Sequence, residues 1–354
     1  MKILVVGDGH SEIHEKVVAE AFRMLGHQVD VFFWCDYFQS SNRLIAQWLR
    51  LQNKFLVGPL LDRINREFLY KVSRFIPDLI FIYRGTHIFS SSILEVKRQI
   101  PTCKVLGYNN DDPFSKGHPS YLWRHFKSSV PYYDITCAYR HRNIDQLLDI
   151  GAKRVELLRS WFVPWLNNPA NKSEDGRDIC FSRDVVFVGH YEPDNRRELL
   201  ELVVSRVFEL RLYGPGYDWD PVIINSKELS NQVPVRLVWG QDYNEVLSAS
   251  RIALCFLSKL NRDTYTRRCF EIPATRTLML AEYTSDLANM FREGEEVDFF
   301  RTPDEMIKKI EFYTSNEDIR KKVADAGYKR VYEDGHDVVS RMRKVLSWLD
   351  EIER

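Results

Sequence analysis

The sequence predicts an α/β protein built as two parallel-sheet halves joined by a polar linker. Three observations carry this: short apolar runs alternate with amphipathic helical stretches, the alternation stops after Pro164, and it then begins again. At 354 residues the chain is long enough for two cores of ordinary size. The expected division is a first domain at 1–165, a linker at 166–184, a second domain at 185–335 and a terminal helix at 336–354.

The first half opens on the apolar run Ile3 to Gly7, followed by a helical pattern from about Glu12 to Gly26 and the run Val29 to Phe33. Ser41 to Ile76 reads as a long helical insertion with seven Lys or Arg between Arg43 and Arg74 against Asp62 and Glu67. With Trp48, Leu49, Phe55, Leu56, Leu60 and Leu61 it could contact an anionic membrane surface; the alternative is a solvated helix face on a packed core. The runs Asp78 to Tyr83, Lys104 to Tyr108 and Ile135 to Tyr139 continue the rhythm of a parallel sheet with crossover helices. After Pro164 the stretch Asn167 to Gly176 is polar and turn-rich. Strands then follow near Val185 to Gly189, Leu210 to Tyr213, Val235 to Trp239 and Ile252 to Phe256. Two such halves point to a ligand in the cleft, at the carboxyl ends of the strands.

Composition narrows the class. A hydrophobic fraction of 44% and a charged fraction of 28% are those of a globular protein. Lys+Arg and Asp+Glu are both 50, so the basic excess of a nucleic-acid binder is missing and no nucleic-acid partner is expected. No apolar run has the length of a membrane span, and the start reads as a strand rather than a signal peptide, so a cytoplasmic location is expected. The six cysteines are scattered without Cys-x-x-Cys spacing, which predicts neither a zinc site nor a disulfide framework.

The densest chemistry lies at 259–282, where Asp263 and Glu271 stand eight positions apart with Arg267 and Arg268 between them. Carboxylates suit the vicinal hydroxyls of a ribose and a hexose, and Arg or Lys suits the diphosphate that joins them. If helical, eight residues cover about 12 Å, roughly the reach from hexose to ribose. A salt-bridged, solvated helix face is the alternative. Upstream, Gly189-His190-Tyr191-Glu192-Pro193-Asp194-Asn195-Arg196-Arg197 links a strand to a helix, where a helix N-terminus and basic side chains can hold a phosphate. Tyr213-Gly214-Pro215-Gly216 closes the next strand, and its missing side chains would let a nucleotide lie against backbone.

In the first half, Gly7-Asp8-Gly9-His10-Ser11-Glu12 places Gly-x-Gly between a strand and a helix, but Glu12 replaces the third Gly and would oppose a pyrophosphate. Bound NAD or FAD is not expected. His10 is either a general base, turned by Asp111 or Asp112, or a loop histidine that caps the helix. Asn109-Asn110-Asp111-Asp112-Pro113 sits past an apolar strand and is assigned to acceptor binding, with no metal.

The 259–282 segment resembles the C-terminal domain of GT-B glycosyltransferases, and most closely the CgeB-type (spore-maturation) branch with its Arg-x-Phe-Glu-Ile-Pro-Ala pattern, here Arg268-Cys269-Phe270-Glu271-Ile272-Pro273-Ala274. The wider retaining families carry Glu-x7-Glu, matched by Asp263 and Glu271, and usually a Gly where this chain has Thr275-Arg276-Thr277. The resemblance covers about 185–345. It implies two Rossmann-like domains (GT-B) facing each other across a cleft, with the terminal helix crossing back so that Leu346 and Trp348 pack across the joint. It also implies a hexosyltransferase-like enzyme that moves a sugar from a nucleotide diphosphate donor to an acceptor, with retention and without metal or cofactor. The residues assigned to catalysis are Asp263, Arg268, Arg196 and His10. Those assigned to the donor are Glu271, Lys259, Arg197, His190, Gly189, Gly214 and Gly216, with His190 standing where the wider family has Arg; the acceptor falls to Asp111 and Asp112. The rival readings are a nucleotide-sugar epimerase on the same fold and a non-catalytic nucleotide-sugar-binding protein.

Overall fold

The computed structural model describes residues 1–170 and 183–353. The chain divides into two compact units, Met1–Ser160 with Val338–Arg354 and Trp161–Asp337. Most of the expected linker, Cys180 included, lies outside the described residues.

In the first unit the elements run β1 (Lys2–Gly7), α1 (Glu15–Met24), β2 (Gln28–Phe33), α2 (Arg43–Phe55), α3 (Pro59–Phe75), β3 (Leu79–Tyr83), α4 (Ser90–Gln99), β4 (Lys104–Asn109), α5 (Arg124–Ser129), β5 (Ile135–Ala138), α6 (Arg142–Asp149) and β6 (Val155–Leu157). Six parallel strands pair in the order β2-β1-β3-β4-β5-β6. All of β3 is buried, which is why its sequence is an unbroken apolar run rather than an alternation. The chain leaves β1 for β2 on one side and returns to β3 on the other, so the loops after β1 and β3 diverge and open a crevice at their carboxyl ends.

The 41–76 insertion is two helices. Asn42 caps α2, its Oδ1 accepting the N–H groups of Leu44 and Ile45 at 3.0 and 3.2 Å. Leu56, at φ 54°, turns the chain out of α2, and Pro59 opens α3 at a position where its missing N–H costs nothing. Gly58, at φ 114°, has no room for a Cβ, which would stand 2.4 Å from Gln52 Oε1.

His87, in the loop after β3, is buried and stacked on Trp34 with ring centroids 5.0 Å apart; its nitrogens meet Thr86 Oγ1 and Asn53 Oδ1 at 2.9 Å each. Burial, aided by the positive charge of His125 and Arg84, holds its pKa down to about 3. A folded value below the unfolded value of 6.5 means that the unfolded chain binds the proton first. Stability is therefore lost as pH falls from about 6.5 towards 3, by up to about 4 kcal/mol from this group. His87→Gln is expected to flatten the decline between about pH 6 and 4 in urea-denaturation midpoints; parallel declines for the two proteins would exclude His87 as the titrating group.

The second unit runs β7 (Arg183–Val188), α7 (Arg196–Ser205), β8 (Leu210–Tyr213), α8 (Gly216–Ile223), α9 (Gly240–Ser248), β9 (Ser250–Cys255), α10 (Arg268–Ala274), β10 (Leu278–Glu282), α11 (Ser285–Met290), β11 (Asp298–Phe300), α12 (Pro303–Ser315) and α13 (Glu317–Glu333). Its five parallel strands lie in the order β11-β10-β9-β7-β8, so the chain switches direction between β7 and β9. The expected strand Val235 to Trp239 is instead an extended segment with one bridge, Tyr213 to Arg236. Pro234 brings no N–H, and the Val235 N–H goes to Asp220 Oδ1 at 2.8 Å rather than to a neighbouring strand. The last helix, α14 (Val338–Glu353), belongs to the first unit, where it packs on α1. Trp348 is buried there, and its carbonyl accepts from Arg154, which also pairs with Glu351 at 2.6 Å.

Among the described cysteines, Cys103, Cys137, Cys255 and Cys269 are buried thiols and Cys35 is half-buried.

Candidate functional site

In the second unit, loops from the carboxyl ends of β7, β8 and β9 meet at the switch point. The Gly189 N–H donates to the Tyr213 carbonyl at 2.9 Å. A Cβ on Gly214 would stand 2.2 Å from the Gly189 carbonyl oxygen, a backbone atom that cannot give way. Trp219 of α8 locks the arrangement, its Nε1 donating to the same carbonyl at 2.8 Å. A Cβ on Gly189 would stand 3.0 Å from Arg268 Nη1, so the guanidinium lies against bare backbone. Gly216 opens α8, where a Cβ would be 2.9 Å from the Val235 carbonyl.

The basic residues of this region divide. Arg196 is buried, and its guanidinium is turned onto its own loop: Nε and Nη2 grip the Asp194 carboxylate at 2.8 Å, and Nη1 donates to the His190 carbonyl at 2.7 Å. Glu192 lies 3.5 Å from Nη2 and accepts the Lys259 N–H at 3.1 Å, fastening this loop to the one after β9. Arg196 thus holds the loop in shape, where the sequence suggested a phosphate ligand. Arg197 pairs along α7 with Glu201 at 2.9 Å. His190 is exposed, its Nδ1 held by Asp218 Oδ2 at 2.8 Å, and Lys259 reaches Glu282 at 3.0 Å.

Asp263 and Glu271 are not on one helix, so the helical spacing between them does not apply. Asp263 ends a tight loop in which its N–H returns to the Ser258 carbonyl at 2.8 Å, after Arg262 has entered the left-handed region at φ 51°. Tyr265 is then buried, and α10 begins only at Arg268. Glu271 is buried on that helix, with Oε1 3.1 Å from Arg267 Nε and Oε2 accepting from the Tyr243 hydroxyl at 3.1 Å. Burial, then the Glu271 charge, pushes the Tyr243 phenol well above its ordinary range. For Arg268 burial works against the charge, but Cys255, Tyr243 and Glu271 outweigh it and the pKa is raised. Its Nε is buried and has no hydrogen-bond partner among the described residues. The result is a fixed positive charge beside open glycine backbone and a buried carboxylate one helical turn away, the chemistry of an anion subsite next to a hydroxyl subsite.

After α10, at the Thr275-Arg276-Thr277 step, Arg276 takes the left-handed conformation at φ 56°, with its guanidinium 4.4 Å over the Tyr328 ring. The stacking accompanies a backbone state that costs a non-glycine residue of order 1 kcal/mol.

In the first unit His10 is exposed and makes no hydrogen bond to the described residues. Asp111 pairs with Arg84 at 2.5 Å. Asp112 is buried and accepts from the Phe114 N–H and Asn143 Nδ2 at 3.0 Å each. Neither carboxylate turns the imidazole. The loop's buried acid is Glu15, which accepts the Asp8 N–H at 3.0 Å and fills the space that a Gly7 side chain would take. Burial raises the pKa of both Asp8 and Glu15.

The sequence reading missed Tyr243, Asp218, Glu15 and Arg84. Arg84 had a usable signal, since it directly follows the apolar run that becomes β3. Tyr243 and Glu15 sit inside ordinary helical patterns and carried none.

Residues 196–347 match the family described as glycosyl transferase-like, a span that includes every assigned donor residue except Gly189 and His190. Solved structures match over nearly the whole chain. A glycosyltransferase from Rickettsia africae aligns at 13% identity and TM-score 0.71, covering 100% of this chain and 98% of that one. The chain has the GT-B fold. Sucrose-phosphate synthase from Thermosynechococcus elongatus aligns at 13% identity and TM-score 0.67, covering 99% of each chain. HepE of Anabaena, in complex with UDP-glucose, aligns at 10% identity and TM-score 0.66, covering 99% of this chain and 100% of that one. No curated protein matches this chain by sequence.

Proposed function

We propose that the enzyme transfers a sugar from a nucleoside diphosphate donor held at the β7–β9 switch point of its second unit. The observation that carries this is the Arg268 guanidinium, charged, half-buried and laid against Gly189 beside the buried carboxylate of Glu271. The leaving diphosphate gathers negative charge as the glycosidic bond breaks, and a positive group already in place stabilises that charge without reorganising. Arg268 takes this role with Lys259, and no metal is required. His190, aligned by Asp218, presents its other nitrogen to the donor. Glu271 accepts the ribose hydroxyls, and Asp263 the hydroxyls of the transferred sugar. Arg196 supports the phosphate loop from behind, through Asp194 and the His190 carbonyl.

That HepE binds UDP-glucose on the same fold supports a uridine nucleotide as donor. The Asp263–Glu271 spacing supports retention of configuration, and the Arg268 to Ala274 pattern supports a place in the CgeB-type branch. Acceptor contacts are assigned to the loops after β1 and β4, through His10 and Asp111, with Asp112 shaping the loop from within.

A thermal-shift panel of nucleotides tests the reading. Uridine diphosphate and its sugars are expected to raise Tm, since a ligand at about 100 times its Kd adds about 2.7 kcal/mol of stability. No shift with any nucleoside diphosphate would remove the donor site. Epimerised donor formed without any acceptor would favour the epimerase reading, and binding without turnover across an acceptor panel the non-catalytic one.

A further inference from the structure

We propose that α2 docks the enzyme on an anionic lipid surface. The helix carries two apolar faces. The inner one, with Leu49 and Gln52, is buried in the first unit, where Gln52 Oε1 accepts the Leu60 N–H at 2.9 Å. The outer one is in solvent: Leu44 is 76% exposed, Trp48 51%, Leu51 54% and Phe55 43%. At about 100° per residue these four side chains fall within about 60° of arc, a continuous stripe along the helix. Packing of the unit accounts for the first face and leaves the second unused.

Charge identifies the occupant. Arg43, Arg50 and Lys54 all lie on one flank of the stripe, and Arg43–Phe55 holds no Asp or Glu. None of the three forms an ion pair with a described residue, and Lys54 Nζ sits 5.5 Å from the Phe55 ring. A Trp-bearing apolar stripe beside a purely basic flank is what an interfacial helix presents to anionic headgroups. A second copy of this chain would set like charges against each other. The helix lies on the surface rather than across it, because no described helix is long and apolar enough to span a bilayer. Its carboxyl end is fixed to the unit by Arg124, which donates to the Phe55 carbonyl at 2.9 Å, so a membrane on this face would set the orientation of the whole unit.

Co-sedimentation of the full chain with vesicles of phosphatidylcholine, alone or mixed with phosphatidylglycerol, tests this. The wild-type chain is expected to pellet with the mixed vesicles and to be released by salt. Each basic side chain near an anionic surface contributes about fivefold to partitioning, so Arg43→Gln/Arg50→Gln/Lys54→Gln is expected to lose about a hundredfold. Trp48→Glu/Leu51→Glu, at exposed positions that leave the fold alone, is expected to abolish binding while Tm is kept. A wild-type chain that stays in the supernatant at low salt overturns the proposal, as does equal pelleting of the Trp48→Glu/Leu51→Glu variant. So does a concentration-dependent dimer, seen by sedimentation velocity and abolished by that variant, in a chain that binds no vesicle; this would give the face to self-association.

Discussion

Arg268→Ala is expected to lower kcat by a hundred- to a thousandfold, about 3 to 4 kcal/mol of transition-state stabilisation. The guanidinium is held charged and half-buried against Gly189, where the protein surroundings screen it from the departing diphosphate less than bulk water would. Arg268→Lys is expected to recover only part of the loss, because an ammonium keeps the charge but not the planar reach of the fork. The effect should fall on kcat more than on KM, since the charge it meets develops as the bond breaks. Single-turnover kinetics with a uridine diphosphate sugar measures this. A variant within about fivefold of wild type, with an unchanged far-ultraviolet spectrum, would remove Arg268 from the chemistry.

For Glu271→Ala the expected loss is in nucleotide affinity, by roughly 1 to 3 kcal/mol or about ten- to a hundredfold. The carboxylate sits between Arg267 and the Tyr243 hydroxyl, each 3.1 Å away, so its removal also leaves two partners to reorganise. Glu271→Gln separates the two effects: it keeps an acceptor for Tyr243 and loses only the charge. Asp263→Ala is expected to spare affinity for the free nucleoside diphosphate and to depress turnover, because its assigned partner is the sugar. Calorimetric titration of all three variants checks the division. Equal losses of nucleotide affinity at Asp263 and Glu271 would end it.

Much of the fold was written locally. The runs that became β1, β3, β4, β7 and β9 are apolar because parallel strands bury both faces, so each is visible within a handful of residues. The break between α2 and α3 was less visible, since Leu56 enters the left-handed region without being glycine. The segment at 235–239 has strand composition, but the Val235 N–H found a carboxylate instead of a strand, a competition that only the folded chain resolves.

The sequence by itself determined the α/β class, the glycine turns at 189 and 214–216, and the acid–arginine cluster of 263–271, because each depends on neighbours along the chain. Tertiary structure decided how those charges are used. Arg196 and Arg268 look alike as residues before or within a helix, yet Asp194 and the His190 carbonyl consume the first, while the second is laid against Gly189. Likewise Glu271, already a candidate ligand in the sequence, gained its hydrogen-bond partner only when α9 brought Tyr243 to it across 28 positions. A charge's role depends on which partners share its low-dielectric surroundings, and those partners are set by packing between distant segments.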